Sequence, residues 1–330
     1  MNDLYMRILS GLMIHKEDRK IFREAFHPVP KSPIISPIPN LINLLSNVDD
    51  KIALLKKNLA LIEIETFSFC NRQCWFCPNS FIDRHSKNEY MEEDVYLKII
   101  NELSEINYSG IITYSRYNEP FADRVILERI KQAREKLPNA NLYTHTNGDY
   151  LTKEYLGEIA NAGMNTLKIQ YYLAKDEKYD KEKILENMKK QVKRFADKYN
   201  ITAYTDDYVE MTIINDQMDI VYQAIKFEDY ACDRGGTLDL GASYKREKFC
   251  LIPLSNMYID YTGAAMPCCN LRSDIEKHKN FIMGNVKESS LAEIFGGNKY
   301  VGLRKQLFTN DILIKPCSSC KFALDYCPQI

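Results

Sequence analysis

Residues 61 to 77 read LIEIETFSFCNRQCWFC, a short apolar run followed directly by three cysteines. The run from Leu61 to Thr66 predicts a buried β-strand, because apolar and β-branched residues suit a pleated interior. Cys70, Cys74 and Cys77 follow it at spacings of four and three. Proteins built on a parallel sheet bind their ligands at the carboxyl ends of the strands. Because the three thiols directly follow a predicted strand, they are predicted to belong to a functional site.

This strand is the first of a series in which apolar runs alternate with segments of helical period. Further strands are predicted at residues 110–114, 140–144, 166–170, 209–214 and 237–240. In one of the segments between them, Thr152 and Gly163 have the chemistry to begin and to end a helix. Strand and helix alternating about six times predict an α/β fold, with a parallel sheet covered by helices over residues 59–242.

The two flanking regions have a different character. Residues 1–58 contain five prolines between positions 28 and 39, which favour an extended path, and predict a leader with helical and Pro-rich parts. Residues 243–330 lose the strand–helix rhythm and hold six cysteines among glycines and prolines. They predict a small domain stabilised by a metal centre.

Composition and charge exclude several classes of protein. The chain has 45% hydrophobic and 27% charged residues, with 44 basic against 45 acidic side chains. With charges this evenly balanced, the protein has no overall positive potential that would attract nucleic acid or an anionic membrane. No apolar run approaches the ~18 residues that a membrane span needs. Without a signal-peptide pattern, the expected location is the cytoplasm. In that reducing compartment ten cysteines favour metal ligation over disulfides.

The first cysteine group suits an iron–sulfur cluster. One loop can bring three thiolates to three irons of a cubane, which leaves the fourth iron open for a small molecule. A zinc site is the alternative, but structural zinc takes four ligands, and the nearest candidate, His85, lies in a polar loop. Chance spacing is a further alternative.

The three cysteines, with Phe76 before the last of them, resemble the signature of the radical S-adenosylmethionine (SAM) enzymes. The resemblance implies a partial (β/α)6 barrel and a [4Fe–4S] cluster held by Cys70, Cys74 and Cys77. It also implies that SAM binds the open iron and is cleaved by one electron to a 5′-deoxyadenosyl radical. That radical would abstract hydrogen from a substrate C–H bond, with the electron supplied by a donor such as flavodoxin or ferredoxin.

Three later turns resemble the SAM-binding turns of the same family. After the second strand, Tyr117-Asn118-Glu119 precedes Pro120 where the family has Gly-Gly-Glu-Pro, so the glutamate is kept and both glycines are replaced. The resemblance implies that this turn contacts the SAM amino group, that Asn147 lies in a Thr-Asn-Gly turn, and that Gln170 faces the ribose. Read without it, Glu119 is a surface carboxylate and Asn147 belongs to a common Asn-Gly turn.

The second cysteine group resembles the SPASM or twitch extension of radical SAM enzymes. Cys250 is followed by Gly263 in an expected hairpin turn and then by Cys268, and a later group follows at Cys317, Cys320 and Cys327. The resemblance implies one auxiliary [4Fe–4S] cluster held by Cys250, Cys268, Cys317 and Cys320, with Cys327 competing for either of the last two places. A zinc ribbon is the alternative.

Family resemblance leaves several functions open. The length and a single auxiliary cluster favour a sugar or aminocyclitol dehydrogenase or epimerase, in which Cys269 or Cys232 would be the hydrogen donor of an epimerase. A radical SAM enzyme that modifies a ribosomally made peptide is the alternative. A non-catalytic iron–sulfur or zinc scaffold is the alternative from another class. No spacing rule selects a catalytic base.

Overall fold

The computed structural model describes residues 41–227, 232–239, 245–246, 250, 252–308 and 314–320. Backbone contacts divide the chain into two compact units. The sheet unit comprises Glu63–Ala231 and Asp260–Thr262, and the cysteine-rich unit comprises Met1–Ile62, Cys232–Ile259 and Gly263–Ile330. Most of the predicted leader lies outside the described residues. The three sequence regions 1–58, 59–242 and 243–330 remain predictions.

One sheet positions the residues of the sheet unit. Its strands are β1 Leu61–Ile64, β2 Ile111–Thr113, β3 Asn141–Thr146, β4 Thr166–Tyr171, β5 Tyr199–Tyr204, β6 Tyr208–Ile213 and β7 Asp219–Ile225. Their order is β1-β2-β3-β4-β7-β6-β5. Strands β2, β3, β4 and β7 run parallel to one another, whereas β6 and β5 are antiparallel to their neighbours.

Helix α1, Val48–Asn58, precedes β1. Four amphipathic helices connect the strands that follow, namely α2 Glu93–Glu105, α3 Val125–Lys136, α4 Lys153–Ala162 and α5 Lys181–Val192. Helix α2 buries one face that includes Tyr96, Ile99 and Leu103, as a helical period requires. The predicted caps of α4 are confirmed, because the Thr152 side chain accepts from Tyr155 N–H and Gly163 takes the left-handed conformation at φ 105°.

Two strand predictions need correction. The predicted fifth parallel strand at 209–214 is β6, which lies antiparallel in a hairpin with β5, and the strand that pairs parallel to β4 is β7. A local apolar pattern does not encode strand direction, which the tight turn between β5 and β6 decides here. The strand predicted at 237–240 is also wrong over its described part, because Thr237 and Leu238 N–H both donate to the carbonyl of Asp233 in a turn.

The cysteine-rich unit combines short antiparallel strands with helices. Its remaining elements are α6 Ile252–Ser255, β8 Asn256–Ile259, β9 Ala264–Met266, β10 Gly284–Asn285, α7 Leu291–Phe295 and α8 Asn298–Phe308. Helix α1 packs against α7. Gly263 ends the turn between β8 and β9 at φ 88°, where a Cβ atom would come within 2.8 Å of Asn285 Oδ1. The hairpin turn predicted at this glycine is therefore confirmed.

A buried arginine holds α8 in place. Arg304 Nε donates to the carbonyl of Pro253 (2.8 Å), and its Nη1 donates to the carbonyl of Phe295 (2.7 Å), which ties α8 to α6 and α7. Helix α8 is thereby fixed where Leu303 and Leu307 line a cavity with four cysteines.

Across the described ranges no helix is long and apolar enough to cross a membrane.

Candidate functional site

Three cysteine thiols lie together in the loop after β1. Cys77 N–H donates to the carbonyl of Cys74 (2.9 Å), and Cys70 N–H donates to the carbonyl of Arg84 (3.1 Å), so the loop folds tightly. Burial raises the pKa of Cys70 to about 12 and that of Cys74 to about 11, and neighbouring cysteines add to both shifts. Thiolates held this close repel one another, so the loop fits a positively charged metal centre that stabilises them.

The spacer residues of this loop bind the turn after β3. Arg72 donates to both carboxylate oxygens of Asp149, from Nε at 2.7 Å and from Nη2 at 2.5 Å. Asn71 donates to Asp149 Oδ2 (2.7 Å) and accepts from Asn147 Nδ2 (2.8 Å). Burial raises the pKa of Asp149, but the hydrogen bonds from Arg72 and Asn71 outweigh it and hold the pKa below its usual value. Sequence reasoning missed Arg72, Asn71 and Asp149.

The predicted Glu119 and Asn147 lie in direct contact. Glu119 is 3% exposed, and its carboxylate accepts from Thr146 Oγ1 (2.5 Å), from Asn147 N–H (2.8 Å) and from Phe121 N–H (3.3 Å). Burial outweighs these hydrogen bonds and raises the pKa of Glu119 to about 7. Its charge also contributes to the raised pKa of Cys70, which places the carboxylate close to the cysteine loop.

A second buried glutamate supports the turn at Tyr117 and Asn118. Glu65 Oε1 accepts from Tyr117 N–H (2.7 Å) and from Asn118 N–H (3.2 Å), and Arg84 lies 3.7 Å from its other oxygen. Neither turn residue has a positive φ. The turn therefore does not need the glycines of the family pattern. Sequence reasoning missed Glu65, although a carboxylate at alternate positions of an apolar strand was a usable signal.

Gln170 belongs to a different set of polar side chains. It is buried near the end of β4, donates to the carbonyl of Tyr171 (3.0 Å) and accepts from Gln223 Nε2 (2.8 Å) on the neighbouring strand β7. Tyr208 OH lies within hydrogen-bond distance of Gln223 Oε1 (2.9 Å) and of the Glu210 carboxylate, and its one hydrogen serves one of these two acceptors at a time. The structure thus joins Gln170 to a row of polar residues across β4, β7 and β6 rather than to Glu119 and Asn147.

Other ionisable residues lie in or just after the first three strands. Arg116 lies 3.7 Å from the Glu63 carboxylate. His145 Nε2 is hydrogen bonded to Tyr143 OH (2.6 Å), and its backbone N–H donates to Ser115 Oγ (3.0 Å). These side chains supply charged groups and a hydrogen-bonded tyrosine–histidine pair to this part of the sheet.

Four of the predicted auxiliary ligands line one cavity in the cysteine-rich unit. They are Cys250, Cys268, Cys317 and Cys320. Burial raises the pKa of Cys317 to about 12, and the sulfurs of Cys250 and Cys320 add to the shift. Arg246 holds their loop, because its N–H donates to the carbonyl of Ser318 (2.8 Å) and its Nε to that of Cys317 (3.3 Å). The buried thiols and their mutual repulsion again fit a positively charged metal centre.

The remaining cysteine positions are as follows. Cys327 lies outside the described residues. Cys269 is buried in a turn over residues 268–271, in which Leu271 N–H donates to the carbonyl of Cys268 (3.2 Å). Cys232 is buried, and its thiol donates to Asn270 Oδ1 (3.2 Å). Among the described residues, no three His, Cys, Asp or Glu side chains are arranged to hold a single metal ion.

Two family models match the chain. The model of the radical SAM superfamily matches residues 64–212, and the model of SPASM, an iron–sulfur cluster-binding domain, matches residues 250–321. One curated relative is the S-adenosyl-L-methionine-dependent 2-deoxy-scyllo-inosamine dehydrogenase of Niallia circulans. It is 27% identical over 254 residues, which are 77% of this chain and 88% of the relative.

Two solved structures resemble the fold. The complex of BtrN with AdoMet and 2-DOIA has a TM-score of 0.55 at 22% identity, and covers 76% of this chain and 87% of that chain. BtrN in an open conformation has a TM-score of 0.50 at 20% identity, and covers 76% and 85% of the two chains. At these identities the likeness concerns the fold, and it agrees with the α/β architecture predicted from the sequence.

Proposed function

Because this chain belongs to the radical SAM superfamily and carries a SPASM domain, we propose that it dehydrogenates a hydroxyl-bearing carbon of an aminocyclitol or a related sugar. The predicted class of enzyme and its cofactors, SAM, a [4Fe–4S] cluster and an auxiliary [4Fe–4S] cluster, are confirmed at family level. The observation that carries the substrate proposal is the match to an inosamine dehydrogenase over 88% of that relative.

In this proposal Cys70, Cys74 and Cys77 hold the first cluster. When bound, SAM and this cluster would supply the radical for hydrogen abstraction, and the auxiliary cluster would supply a one-electron acceptor. Glu119 and Asn147 lie beside the cysteine loop, with a buried carboxylate suited to an amino group. Glu65 orients the Tyr117–Asn118 backbone next to them. These residues are the proposed contacts of SAM.

Cys250, Cys268, Cys317 and Cys320 are the proposed ligands of the auxiliary cluster. They line one cavity, which supports the choice of this set. Cys327 remains the predicted competitor for Cys317 or Cys320. Four ligands close one cubane, so a second auxiliary cluster is not part of the proposal.

Oxidation of an alcohol to a ketone removes one hydrogen atom from carbon, one proton from oxygen and one electron. Arg116, His145 and the intervening strand ends provide polar groups for the substrate, and His145 and Glu63 are candidates for receiving the hydroxyl proton. Gln170, supported by its partner Gln223, remains the proposed contact of the SAM ribose. Flavodoxin or ferredoxin remains the predicted electron donor, and the cytoplasm the predicted location.

The test is an anaerobic assay of the reconstituted enzyme with SAM, dithionite and 2-deoxy-scyllo-inosamine deuterated at its ring carbons. We expect 5′-deoxyadenosine that carries deuterium, and a ketone that lacks two hydrogen atoms of the substrate. The Cys74→Ala variant is the negative control. An epimer that takes up solvent hydrogen would contradict dehydrogenation, and the absence of substrate-dependent label in 5′-deoxyadenosine would contradict the substrate class.

A further inference from the structure

The side chain of Asn270 has a buried donor group without a partner. Asn270 is 2% exposed, and it lines the cavity that holds Cys250, Cys268 and Cys317. Its Nδ2 atom is inaccessible to solvent and has no hydrogen-bond partner among the described residues. An amide N–H left unpaired in the interior loses its hydrogen bonds to water without replacement, so such a group requires an explanation.

Neighbouring donors determine which way this amide points. Its Oδ1 atom receives the thiol of Cys232 at 3.2 Å and Nη1 of Arg234 at 3.3 Å. A guanidinium is only a donor, and the thiol is the donor in its contact, so the amide oxygen must face both groups. The NH2 group of Asn270 is thereby directed away from them, which removes the usual ambiguity of amide orientation.

The same residue already contacts a predicted cluster ligand through its backbone. Asn270 N–H lies 3.3 Å from Cys268 Sγ, in the geometry of an N–H···S hydrogen bond. Asn270 thus lines the cavity beside the cysteines, and its backbone already donates to one of their sulfurs. In iron–sulfur proteins, hydrogen bonds to sulfur stabilise the added negative charge of the reduced cluster and raise its reduction potential.

We infer that the Asn270 side-chain amide donates a hydrogen bond to a sulfur of the auxiliary cluster and raises its reduction potential. The inference rests on the proposed function, because it requires a cluster at these cysteines. Asn270 is a positioning residue in this scheme, and Cys232 orients it through Oδ1. The amide favours transfer of the substrate electron to the cluster, without itself contacting the substrate.

The test compares reduction potentials of the auxiliary cluster in the full chain. Cys70, Cys74 and Cys77 are replaced by Ala, so that only the auxiliary cluster assembles, and the potential is titrated by EPR spectroscopy. Asn270→Asp keeps an oxygen toward Arg234 and replaces the NH2 group by a second carboxylate oxygen. We expect the equilibrium constant for reduction to fall about tenfold, which is about 59 mV for one electron.

Two further variants control this measurement. Asn280→Asp makes the same change at an exposed position of the same unit and should leave the potential unchanged. Asn270→Leu removes the donor without adding charge and should lower the potential less than Asn270→Asp. If both Asn270 variants keep their iron and have an unchanged reduction potential, the inference about Asn270 is overturned, whereas the proposed auxiliary site is not. Failure of the parent to assemble about four irons would instead overturn the proposed auxiliary site.

A spectroscopic measurement tests the inference even if the Asn270 variants do not assemble the auxiliary cluster. Asparagine labelled with ¹⁵N only in its side-chain amide is incorporated into the chain that has Cys70, Cys74 and Cys77 replaced by Ala and Asn270 unchanged, and the reduced auxiliary cluster is examined by pulsed EPR. A hydrogen bond from Asn270 Nδ2 predicts a resolved ¹⁵N coupling. An assembled cluster without that coupling would overturn the inference.

Discussion

The carboxylate of Glu65 stabilises the turn at Tyr117 and Asn118, the two positions at which the family pattern has glycines. It is completely buried, holds two backbone N–H groups and faces the buried guanidinium of Arg84. Glu65→Leu leaves all three groups without this acceptor, so the free energy of unfolding should fall by about 3 kcal/mol. Urea unfolding measures the change. The exposed Glu128→Leu should stay within about 1 kcal/mol, and equal losses in the two variants would contradict this role of Glu65.

Glu119 should give the iron-free protein a specific dependence on pH. Its pKa is about 7 in the folded chain, against 4.5 as the ordinary value, because burial disfavours the charge. The unfolded chain loses this proton at lower pH than the folded chain. The free energy of unfolding therefore falls as pH rises from about 4.5 to about 7 and is level above that.

Glu119→Gln should remove this component, which is of order 1–3 kcal/mol. Urea unfolding of both iron-free proteins at pH 5 and pH 8 gives the difference, with Glu128→Gln as the control at an exposed site. If the unsubstituted protein and Glu119→Gln change by the same amount between these pH values, Glu119 does not titrate as the geometry indicates.

At the scale of elements, the two glycines of α4 differ in why glycine is present. Gly163 has a backbone conformation that favours glycine, whereas Gly157 has an ordinary helical conformation in which glycine only lowers helix propensity. Gly163 ends the helix at φ 105°, and a Cβ atom there would lie 2.7 Å from Arg134 Cγ, whereas Gly157 is in mid-helix with no atom within 4 Å of its Cβ position. Gly163→Ala should therefore destabilise the protein by about 1–2 kcal/mol. Gly157→Ala should stabilise it by about 0.5–1 kcal/mol. Thermal unfolding of the pair gives both values, and the same sign in both would contradict the assigned cap.

For the whole molecule, the two groups of cysteines should be separable by substitution. Cys74→Ala and Cys268→Ala should each lower the iron content from about eight to about four atoms per chain. Cys74→Ala should abolish formation of 5′-deoxyadenosine, because the cluster that cleaves SAM is lost. Cys268→Ala should retain part of this cleavage but form no oxidised product.

Iron quantitation and product analysis on the same samples check these expectations, and each variant serves as the control for the other. Cleavage retained by Cys74→Ala would contradict the proposed SAM-binding cluster. Loss of soluble protein in Cys268→Ala would show that the auxiliary centre is structural in addition to any redox role.

The sequence by itself predicted the radical SAM and SPASM domains, the class of chemistry and the first half of the sheet. Cysteine spacing and the alternation of strands with helices are local properties, so β1 to β4, the caps of α4 and the turn at Gly263 were readable without coordinates. The cysteines predicted as auxiliary ligands line one cavity, apart from Cys327, which lies outside the described residues. Their role as ligands remains a prediction.

Only the tertiary structure decided the features that depend on residues far apart in the chain. The parallel partner of β4 is β7, because the β5–β6 hairpin intervenes in sequence but lies beyond β7 in the sheet. Glu65 meets a turn more than fifty residues away, and Asn270 meets Cys232 across 38 positions. Buried polar groups need hydrogen-bond partners, and in these cases the partners come from distant parts of the chain. The spacing of residues along the sequence does not indicate which distant groups will meet.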